Sequence, residues 1–352
     1  MKDVEWKAFR IGDLFEFILS KGDNQADKLL DGCIPLVSSG MNNNGITKFI
    51  LDGDGKSELF HCNVITIDMF GKAFQHQYDF YSVSHGRINV LSPRFNSNSY
   101  ILYFIVVAIN ESSKNIFSYN RMCSQKRLNF INIFLPIDSN GSPDWQFMEE
   151  YIKQKEKKHT KMIVEYYKEM LANICRGEGS NSSLENVEWK EFFFSDIFED
   201  IQRGKRLIKS NQLAGDTPYI SSTSLNNGID NFIANKDCVR KFSNNITLAN
   251  SGSVGEAFYH SYEYIASDHV TSLKLKDGNK YIYLFLTSIT RRLKEKYSFN
   301  REISDGRIIR EKILLPIDSL GNPNWKFMES YIKSIEAKQI EKIIKYLRSL
   351  ER

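Results

Sequence analysis

Apolar and polar positions alternate in more than one way along each half of the chain. Short β-branched runs, such as residues 62–68 and 245–249, lie between Gly, Asn and Asp residues and predict strands. Longer apolar stretches at residues 99–110 and 280–294 predict helices that pack on the resulting sheets. An Asn-Asn-Gly segment in each half is typical of a hairpin or tight turn. The pattern therefore predicts an α+β fold.

A different pattern closes each half. Residues 145–176 and 325–352 are rich in Glu and Lys, and Asp144 and Asn324 are good helix N-caps that follow prolines. The apolar positions of the second stretch are spaced 3, 4 and 3, as in a coiled-coil seam: Ile340, Ile343, Leu347 and Leu350. We predict two long helices, each about 45 Å at 1.5 Å per residue, that pair antiparallel. The alternative is that each helix only caps its own half.

The two halves repeat each other, and the spacing between matched segments changes by only a few residues. Such a pattern arises when small loop insertions accumulate on one shared fold. The clearest matches are Val4-Glu5-Trp6-Lys7 with Val187-Glu188-Trp189-Lys190, Pro35-Leu36-Val37-Ser38-Ser39 with Pro218-Tyr219-Ile220-Ser221-Ser222, Tyr119-Asn120-Arg121 with Phe299-Asn300-Arg301, and Leu135-Pro136-Ile137-Asp138-Ser139 with Leu315-Pro316-Ile317-Asp318-Ser319.

We therefore predict two tandem, pseudo-symmetric domains, each followed by a long helix. The Gly- and Ser-rich segment between them is typical of a flexible linker. The predicted boundaries are 1–144 for domain 1, 145–176 for its helix, 177–184 for the linker, 185–324 for domain 2 and 325–352 for its helix.

Composition narrows the function only a little. The 352 residues include 47 basic and 43 acidic side chains, so the net charge of +4 permits nucleic-acid binding without arguing for it. The five cysteines are scattered and form no Cys-x-x-Cys pair, so we predict neither a zinc site nor a disulfide framework. No secretory segment opens the chain, and its apolar runs are too short to span a membrane. We expect a cytoplasmic protein with no membrane contact.

Enzyme motifs are missing from the sequence. It contains no Pro-Pro dipeptide and no Gly-x-Gly-x-x-Gly, and residues 53–57 resemble a phosphate loop but lack its first glycine, where Ile50 stands. Asp144 with Glu156 could be forced into a nuclease pattern, although residues on such a helix usually form a solvated face. We predict a non-catalytic chain, and keep two alternatives: a self-contained DNA-modifying enzyme and a protein-binding scaffold that does not bind DNA.

The Trp-Lys-x-Phe opening, the Pro-x-(Val/Ile)-Ser-Ser loop, the Leu-Pro-Ile-Asp-Ser ending, the long helix and the tandem repeat together resemble one family. The chain resembles, along essentially its whole length, the specificity (S) subunits of type I and type IIB restriction–modification systems. This resemblance implies that each target-recognition domain reads one half of a split DNA site, and that paired helices hold the domains apart. It also implies docking of methyltransferase or methyltransferase–nuclease subunits.

The same resemblance implies that this chain binds no cofactor or metal itself, and that S-adenosylmethionine is bound by the partner subunit. Two non-identical domains in one chain predict an asymmetric site in double-stranded DNA. Helices of the predicted length suit readers placed about one DNA turn apart, roughly 34 Å.

DNA contacts are expected from polar and basic side chains in loops at matched positions. Residues identical in both copies would stabilise the fold or contact phosphates. Residues that differ, such as Gly40 and Thr223, would determine which DNA sequence is recognised. A structural role stays open for each, as a turn for Asn-Asn-Gly and as a hydrogen-bonded side chain for the two histidines. The candidates are Ser38, Ser39, Asn42, Asn43 and Asn44 with Ser221, Ser222, Thr223, Asn226 and Asn227; Lys21 with Arg203, Lys205 and Arg206; His85 and Arg87 with His269 and Thr271; and Asn120 and Arg121 with Asn300 and Arg301.

Overall fold

The computed structural model of the protein forms two compact units, Met1–Ile163 (unit 1) and Val164–Arg352 (unit 2). None of the helices in the described part of the chain is both long and apolar enough to cross a membrane. The predicted linker lies outside the described residues, except for Leu184, which begins a short 3-10 turn. The structure describes residues 4–19, 21–83, 87–175 and 184–350.

Unit 1 alternates short strands with a few helices, as the α+β prediction requires. The last helix continues beyond the unit, since its residues from Val164 onward belong to unit 2. The elements of unit 1 are β1 (Trp6–Arg10), α1 (Ile11–Leu14), β2 (Phe15–Leu19), β3 (Asp31–Val37), β4 (Ile46–Ile50), β5 (Val64–Asp68), β6 (Ala73–His76), β7 (Tyr81–Ser82), β8 (Ile88–Pro93), α2 (Ser99–Ser113), α3 (Gln125–Leu128), β9 (Asn132–Pro136) and α4 (Trp145–Cys175).

Three sheets organise unit 1. Strands β2, β8, β5 and β6 form an antiparallel sheet in that order, β4, β3 and β7 form a second sheet, and β1 pairs with β9. Helix α2 packs on the four-stranded sheet and on β9. The core between them buries Ile11, Phe15, Ile65, Leu91 and Ile105 completely. This apolar contact provides most of the driving force that holds the helix on the sheet.

Unit 2 repeats this order of elements. The helix predicted at residues 280–294 ends earlier, at Thr290, and a 3-10 turn continues from Arg291 to Glu295. Its elements are β10 (Trp189–Phe193), α5 (Phe194–Ile197), β11 (Asp200–Arg203), β12 (Ala214–Ile220), β13 (Ile229–Ile233), β14 (Lys241–Phe242), β15 (Asn245–Ala249), β16 (Ala257–His260), β17 (Tyr264–Ala266), β18 (Val270–Lys274), α6 (Lys280–Thr290), α7 (Asp305–Ile309), β19 (Lys312–Pro316) and α8 (Trp325–Ser349).

The sheet topology of the two units is the same except for one additional edge strand in unit 2. The order β11-β18-β15-β16 in unit 2 matches β2-β8-β5-β6 in unit 1, and β13-β12-β17 matches β4-β3-β7, with β14 added at the edge. The pairing of first with last strand is also repeated, because Trp6 lies opposite Pro136 and Trp189 lies opposite Pro316. The repeat in the sequence is therefore a repeat of the fold.

Both long helices begin where the sequence predicts. The Asp144 carboxylate accepts a hydrogen bond from the Phe147 N–H at 2.9 Å, and the Asn324 side chain accepts one from the Phe327 N–H at 3.0 Å. Each side chain thereby satisfies an N–H group that the first helical turn leaves unpaired. The predicted N-caps are confirmed.

The end of α4 packs on α8 within unit 2, which confirms that the two apolar seams meet. The antiparallel sense of the pair stays a prediction. The seam on α8 differs from the predicted one, because Ile343 and Leu350 are exposed and Ile344 takes the buried place. The contact is made by Val164, Tyr167, Met170, Leu171 and Ile174 on α4 with Ala337, Ile340, Ile344 and Leu347 on α8.

Candidate nucleic-acid interface

The Asn-Asn-Gly segments build tight turns, which confirms their structural interpretation. Asn43 and Asn44 have φ angles of 49° and 53°, in the left-handed region that asparagine tolerates better than most residues. The Ser38 N–H donates to the Gly45 carbonyl at 2.7 Å and closes the hairpin between β3 and β4. Asn226, Asn227 and Gly228 repeat the turn in unit 2. In both units the asparagine side chains remain exposed at its apex.

Hydrogen bonds gather four loops at one place in unit 2, which we name loop cluster 2: residues 221–227, 250–255, 267–269 and 298–304. The Ser253 N–H donates to the Ser222 carbonyl at 3.1 Å. The Asn250 N–H donates to the His269 carbonyl, and the Asn250 carbonyl accepts from the Ile303 N–H, both at 3.0 Å. The Ser251 hydroxyl is hydrogen-bonded to Nδ1 of His269. Loops that are distant in sequence therefore form one surface.

The basic segment after β11 lies against loop cluster 2. The Lys205 N–H donates to the Ala266 carbonyl at 3.0 Å, and the Gly204 N–H donates to the Val270 carbonyl at 2.9 Å. A Cβ atom at Gly204 would lie only 2.2 Å from the Ser267 carbonyl oxygen, so glycine is required for this close approach. The side chains of Lys205 and Arg206 are exposed here.

Arg203 differs from its two basic neighbours, because its guanidinium Nε donates to Asp305 at 2.9 Å. This ion pair connects the basic segment to α7. Since Asp305 already satisfies part of the guanidinium, Arg203 is better placed to position the segment than to contact DNA on its own.

Unit 1 gathers its loops in the corresponding way, and we name residues 38–44, 69–72, 87 and 118–124 loop cluster 1. The Ser39 hydroxyl donates to the Arg87 carbonyl at 3.2 Å. The Cys123 N–H donates to the Met69 carbonyl at 2.8 Å, as Ile303 does to Asn250 in unit 2. His85, the remaining candidate on this side, lies outside the described residues.

Lys21 is in a different setting from the basic segment of unit 2. Its ammonium group lies 2.7 Å from Glu58, in the segment between β4 and β5, whose counterpart in unit 2 has a different sequence. In the same segment the Asp54 carboxylate accepts hydrogen bonds from the Asp23, Lys56 and Ser57 N–H groups, and these bonds, the one from Asp23 above all, hold its pKa well below the usual range. These amides are therefore occupied, which confirms that residues 53–57 form a polar turn and not a phosphate loop.

The strand register corrects one predicted correspondence. Asp68 pairs with Ile88 in unit 1, and Ala249 pairs with Val270 in unit 2. Arg87 is therefore the counterpart of His269. The sequence spacing had instead matched His269 with His85. Thr271 corresponds to Asn89, is only 2% exposed and accepts a hydrogen bond from Asn250 at 3.1 Å. This burial removes Thr271 from the candidate DNA contacts.

The last set of candidates, Asn120 and Arg121 with Asn300 and Arg301, lies on a tight turn in each unit. Ser118 and Arg121 exchange both main-chain hydrogen bonds, and Ser298 and Arg301 do the same. The aromatic residue at the apex of each turn was not among the predicted sites, although Tyr119 is 76% exposed and Phe299 is 75% exposed. The available signal was an aromatic residue at the same place in both copies, directly before Asn-Arg.

The histidines of the two sheets have structural partners. His76 Nε2 lies 2.7 Å from the Thr66 hydroxyl and Nδ1 lies 3.3 Å from the Tyr78 hydroxyl, and His260 repeats both contacts with Thr247 and Tyr262. Burial lowers the pKa of each histidine to about 4, so both rings are neutral at pH 7. Within the described ranges, no group of three or more His, Cys, Asp or Glu side chains is placed to hold a metal ion.

Comparison with known proteins gives one consistent result. A family model described as type I restriction modification DNA specificity domain matches residues 3–165 and 186–345. The specificity subunit S.BcgI of a type II restriction enzyme from Heyndrickxia coagulans is 31% identical over 345 residues, and the match covers 96% of both chains.

Two solved structures show lower similarity. The S subunit of a type I restriction–modification system from M. genitalium is 15% identical with a TM-score of 0.47, covering 100% of this chain and 94% of the other. The HsdS subunit from Thermoanaerobacter tengcongensis is 10% identical with a TM-score of 0.33, covering 99% and 92%.

Proposed function

The chain belongs to the type I restriction modification DNA specificity family and is a specificity subunit with two recognition domains; from this premise we propose that loop clusters 1 and 2 each read one half of a split, asymmetric site in double-stranded DNA. The observation that supports the proposal most is that hydrogen bonds connect corresponding loops in both units. Loops held in this way on a rigid sheet are the usual location of binding residues.

The side chains in the two clusters suit base readout. Ser39 and Ser222 offer hydroxyl groups, and the exposed asparagines at the turns can bind adenine through two hydrogen bonds. The exposed Lys205 and Arg206 would contact phosphates, which fix the orientation on DNA without reading sequence. Matched positions differ, with Arg87 in unit 1 where unit 2 has His269, so the two half-sites are expected to differ.

The partners proposed for this chain are methyltransferase subunits, which bind S-adenosylmethionine and carry out the reaction, while this chain supplies no catalytic residue. Support comes from exposed apolar residues that the helix pairing leaves free at repeated positions, Tyr166 on α4 and Tyr346 on α8. Exposed aromatic residues at an otherwise charged surface are enriched at protein interfaces. Two equivalent positions suit two copies of one partner.

Mapping of base methylation tests this function. The chain would be expressed with the methyltransferase subunit that co-purifies with it, and methylated bases would be located on genomic DNA. We expect a motif with two defined halves and a fixed gap. Cells that express the methyltransferase subunit alone are the control, and should lack the motif. Methylation without a split motif would contradict the proposal, as would DNA cleavage or methylation by the purified chain alone.

A further inference from the structure

Each unit displays a large aromatic ring at the tip of a tight turn. The main-chain hydrogen bonds between Ser118 and Arg121 close the first turn, and those between Ser298 and Arg301 close the second. Because these bonds involve only the backbone, the residue at the apex is free to be polar, as is usual in turns. Both apices instead carry a ring, Tyr119 in one and Phe299 in the other, that is about three-quarters exposed.

The position of the rings is fixed by the surrounding structure. After each turn, the chain is attached to the loop cluster by the hydrogen bond of Cys123 to Met69 or of Ile303 to Asn250. An arginine of the following short helix also donates to a carbonyl at the end of the turn, Arg127 to Met122 and Arg307 to Glu302 in the two units. The same bracing appears twice, so each ring is presented from a held turn.

The charges around the ring of unit 1 favour a polyanion as its partner. The segment from Ser118 to Leu128 contains three cations and no acidic residue. The matching segment of unit 2 contains two arginines and two acidic residues, one of which, Asp305, is paired with Arg203. The Arg301 guanidinium lies 5.4 Å from the centre of the Tyr297 ring, which holds it at the base of the turn. An exposed ring two residues before an arginine matches DNA, where an opened base step offers flat apolar faces between phosphates.

We propose that Tyr119 and Phe299 are wedge residues that pack against the bases at one base step in each half of the duplex. This inference rests on the proposed function and deepens it by assigning residues that contact bases by shape and not by hydrogen bonds. Arg121 and Arg301 bind the neighbouring phosphates and keep each ring at the step. Apolar wedges that partly unstack a base step occur in other DNA-binding proteins.

The test uses the complex with its methyltransferase subunit and a duplex that contains the mapped motif. Replacing bases one at a time with 2-aminopurine, whose fluorescence rises on unstacking, locates any opened step in each half-site. Apart from the base that the methyltransferase flips out of the stack for methylation, we expect one such step per half in the wild-type complex. Tyr119→Ala should abolish the signal of this step in one half only, and Phe299→Ala should abolish it in the other.

Affinity and its salt dependence supply the second measurement. Each alanine variant should bind about tenfold more weakly with an unchanged slope of log Kd against log salt, because no phosphate contact is lost. Tyr119→Phe and Phe299→Tyr keep the ring and should bind as the wild type does. Phe299→Leu, similar in size but without a ring, should resemble the alanine variant. Leu320→Ala is the matched control, since Leu320 is 83% exposed on another turn of unit 2 and should have no effect.

The outcomes separate this inference from the proposed function. If the wild-type complex binds and methylates its motif but the alanine variants keep full affinity and show the same fluorescence, the wedge role is wrong and the proposed function stands. Loss of binding in the ring-preserving variants as well would indicate a purely structural turn and would also overturn the wedge. If the wild-type complex shows no motif preference, the proposed function itself fails.

Discussion

His76 and His260 occupy the same place in the two sheets and are buried with hydrogen-bond partners at both ring nitrogens. Their burial connects folding to pH. The unfolded chain takes up a proton at each histidine near the ordinary value of 6.5, whereas the folded pKa is about 4. The unfolded state therefore binds more protons between these values, and the stability present above pH 6.5 is lost as the pH falls towards 4.

We expect the free energy of unfolding to fall by about 2 kcal/mol per histidine between pH 7 and pH 5. The His260→Gln variant keeps a hydrogen-bonding group but does not titrate, so unit 2 should lose less stability over this range. Urea unfolding at the two pH values measures the difference. An equal pH dependence in the variant and the wild type would show that His260 does not contribute.

A polar network in unit 2 replaces apolar residues of unit 1. The buried Glu311 carboxylate accepts from the Lys296 ammonium at 2.7 Å and from the Tyr297 hydroxyl at 2.5 Å. The corresponding residues of unit 1 are all apolar: Ile116, Phe117 and Ile131. The same place in the fold therefore accepts either set, provided that every buried polar group has a partner.

Glu311→Ile alone should destabilise unit 2 by about 2 kcal/mol, since it leaves the Tyr297 hydroxyl without its partner. The triple variant Lys296→Ile, Tyr297→Phe, Glu311→Ile copies unit 1 and should recover most of that loss. Urea unfolding of both variants is the measurement. A triple variant no more stable than the single one would contradict this account.

At the scale of secondary structure, the pairing of α4 with α8 shows that the sequence of α8 contains two sets of residues, each spaced 3, 4 and 3, that could form its apolar seam. The predicted seam began at Ile340 and used Ile343, while the observed one begins three residues earlier at Ala337 and uses Ile344. Both fit the period of a coiled coil. Only contact with the partner helix distinguishes them, so the sequence of α8 alone could not.

Two neighbouring isoleucines therefore provide a matched test of the helix pair. Ile344 is 8% exposed and Ile343 is 36% exposed. Ile344→Ala should reduce the free energy of unfolding by about 3 kcal/mol, because it leaves a cavity in the seam. Ile343→Ala should cost much less. Thermal unfolding of the two variants decides between the seams, and a larger loss in Ile343→Ala would restore the predicted one.

Elements with a local cause were predicted well from the sequence. The caps at Asp144 and Asn324 and the Asn-Asn-Gly turns each depend on residues within a few positions of one another. Features set by distant contacts were not: the burial of Thr271 follows from the register of β18 with β15, and the match of Arg87 with His269 follows from the same register. The exposed rings were missed because exposure itself is a tertiary property.

At the scale of the whole molecule, the duplicated fold predicts that the two half-sites are read independently. Replacing residues 1–144 with the corresponding segment of a relative that has a different motif should change one half of the methylated motif and leave the other half and the gap unchanged. Methylation mapping of the hybrid complex is the measurement. A change in both halves would contradict independent recognition.

The electrostatic part of binding is testable at the same scale. With a net charge of only +4, the chain must gain its electrostatic affinity for DNA from local clusters of cations. Lys205 and Arg206 form such a cluster, exposed beside loop cluster 2. Each alanine variant should reduce the slope of log Kd against log salt by about 0.9, the contribution of one phosphate contact. Lys274→Ala, at the far end of β18, is the control and should leave the slope unchanged.

The pairing of β1 with β9 and of β10 with β19 has an evolutionary consequence. In each unit the chain arrives on one strand and leaves on its direct neighbour, with Trp6 opposite Pro136 and Trp189 opposite Pro316. A genetic crossover that exchanges everything between these strands leaves the ends of the new segment in the same places. Recombination can therefore give the organism a new half-site in a single event, without a series of intermediate mutations in the loops.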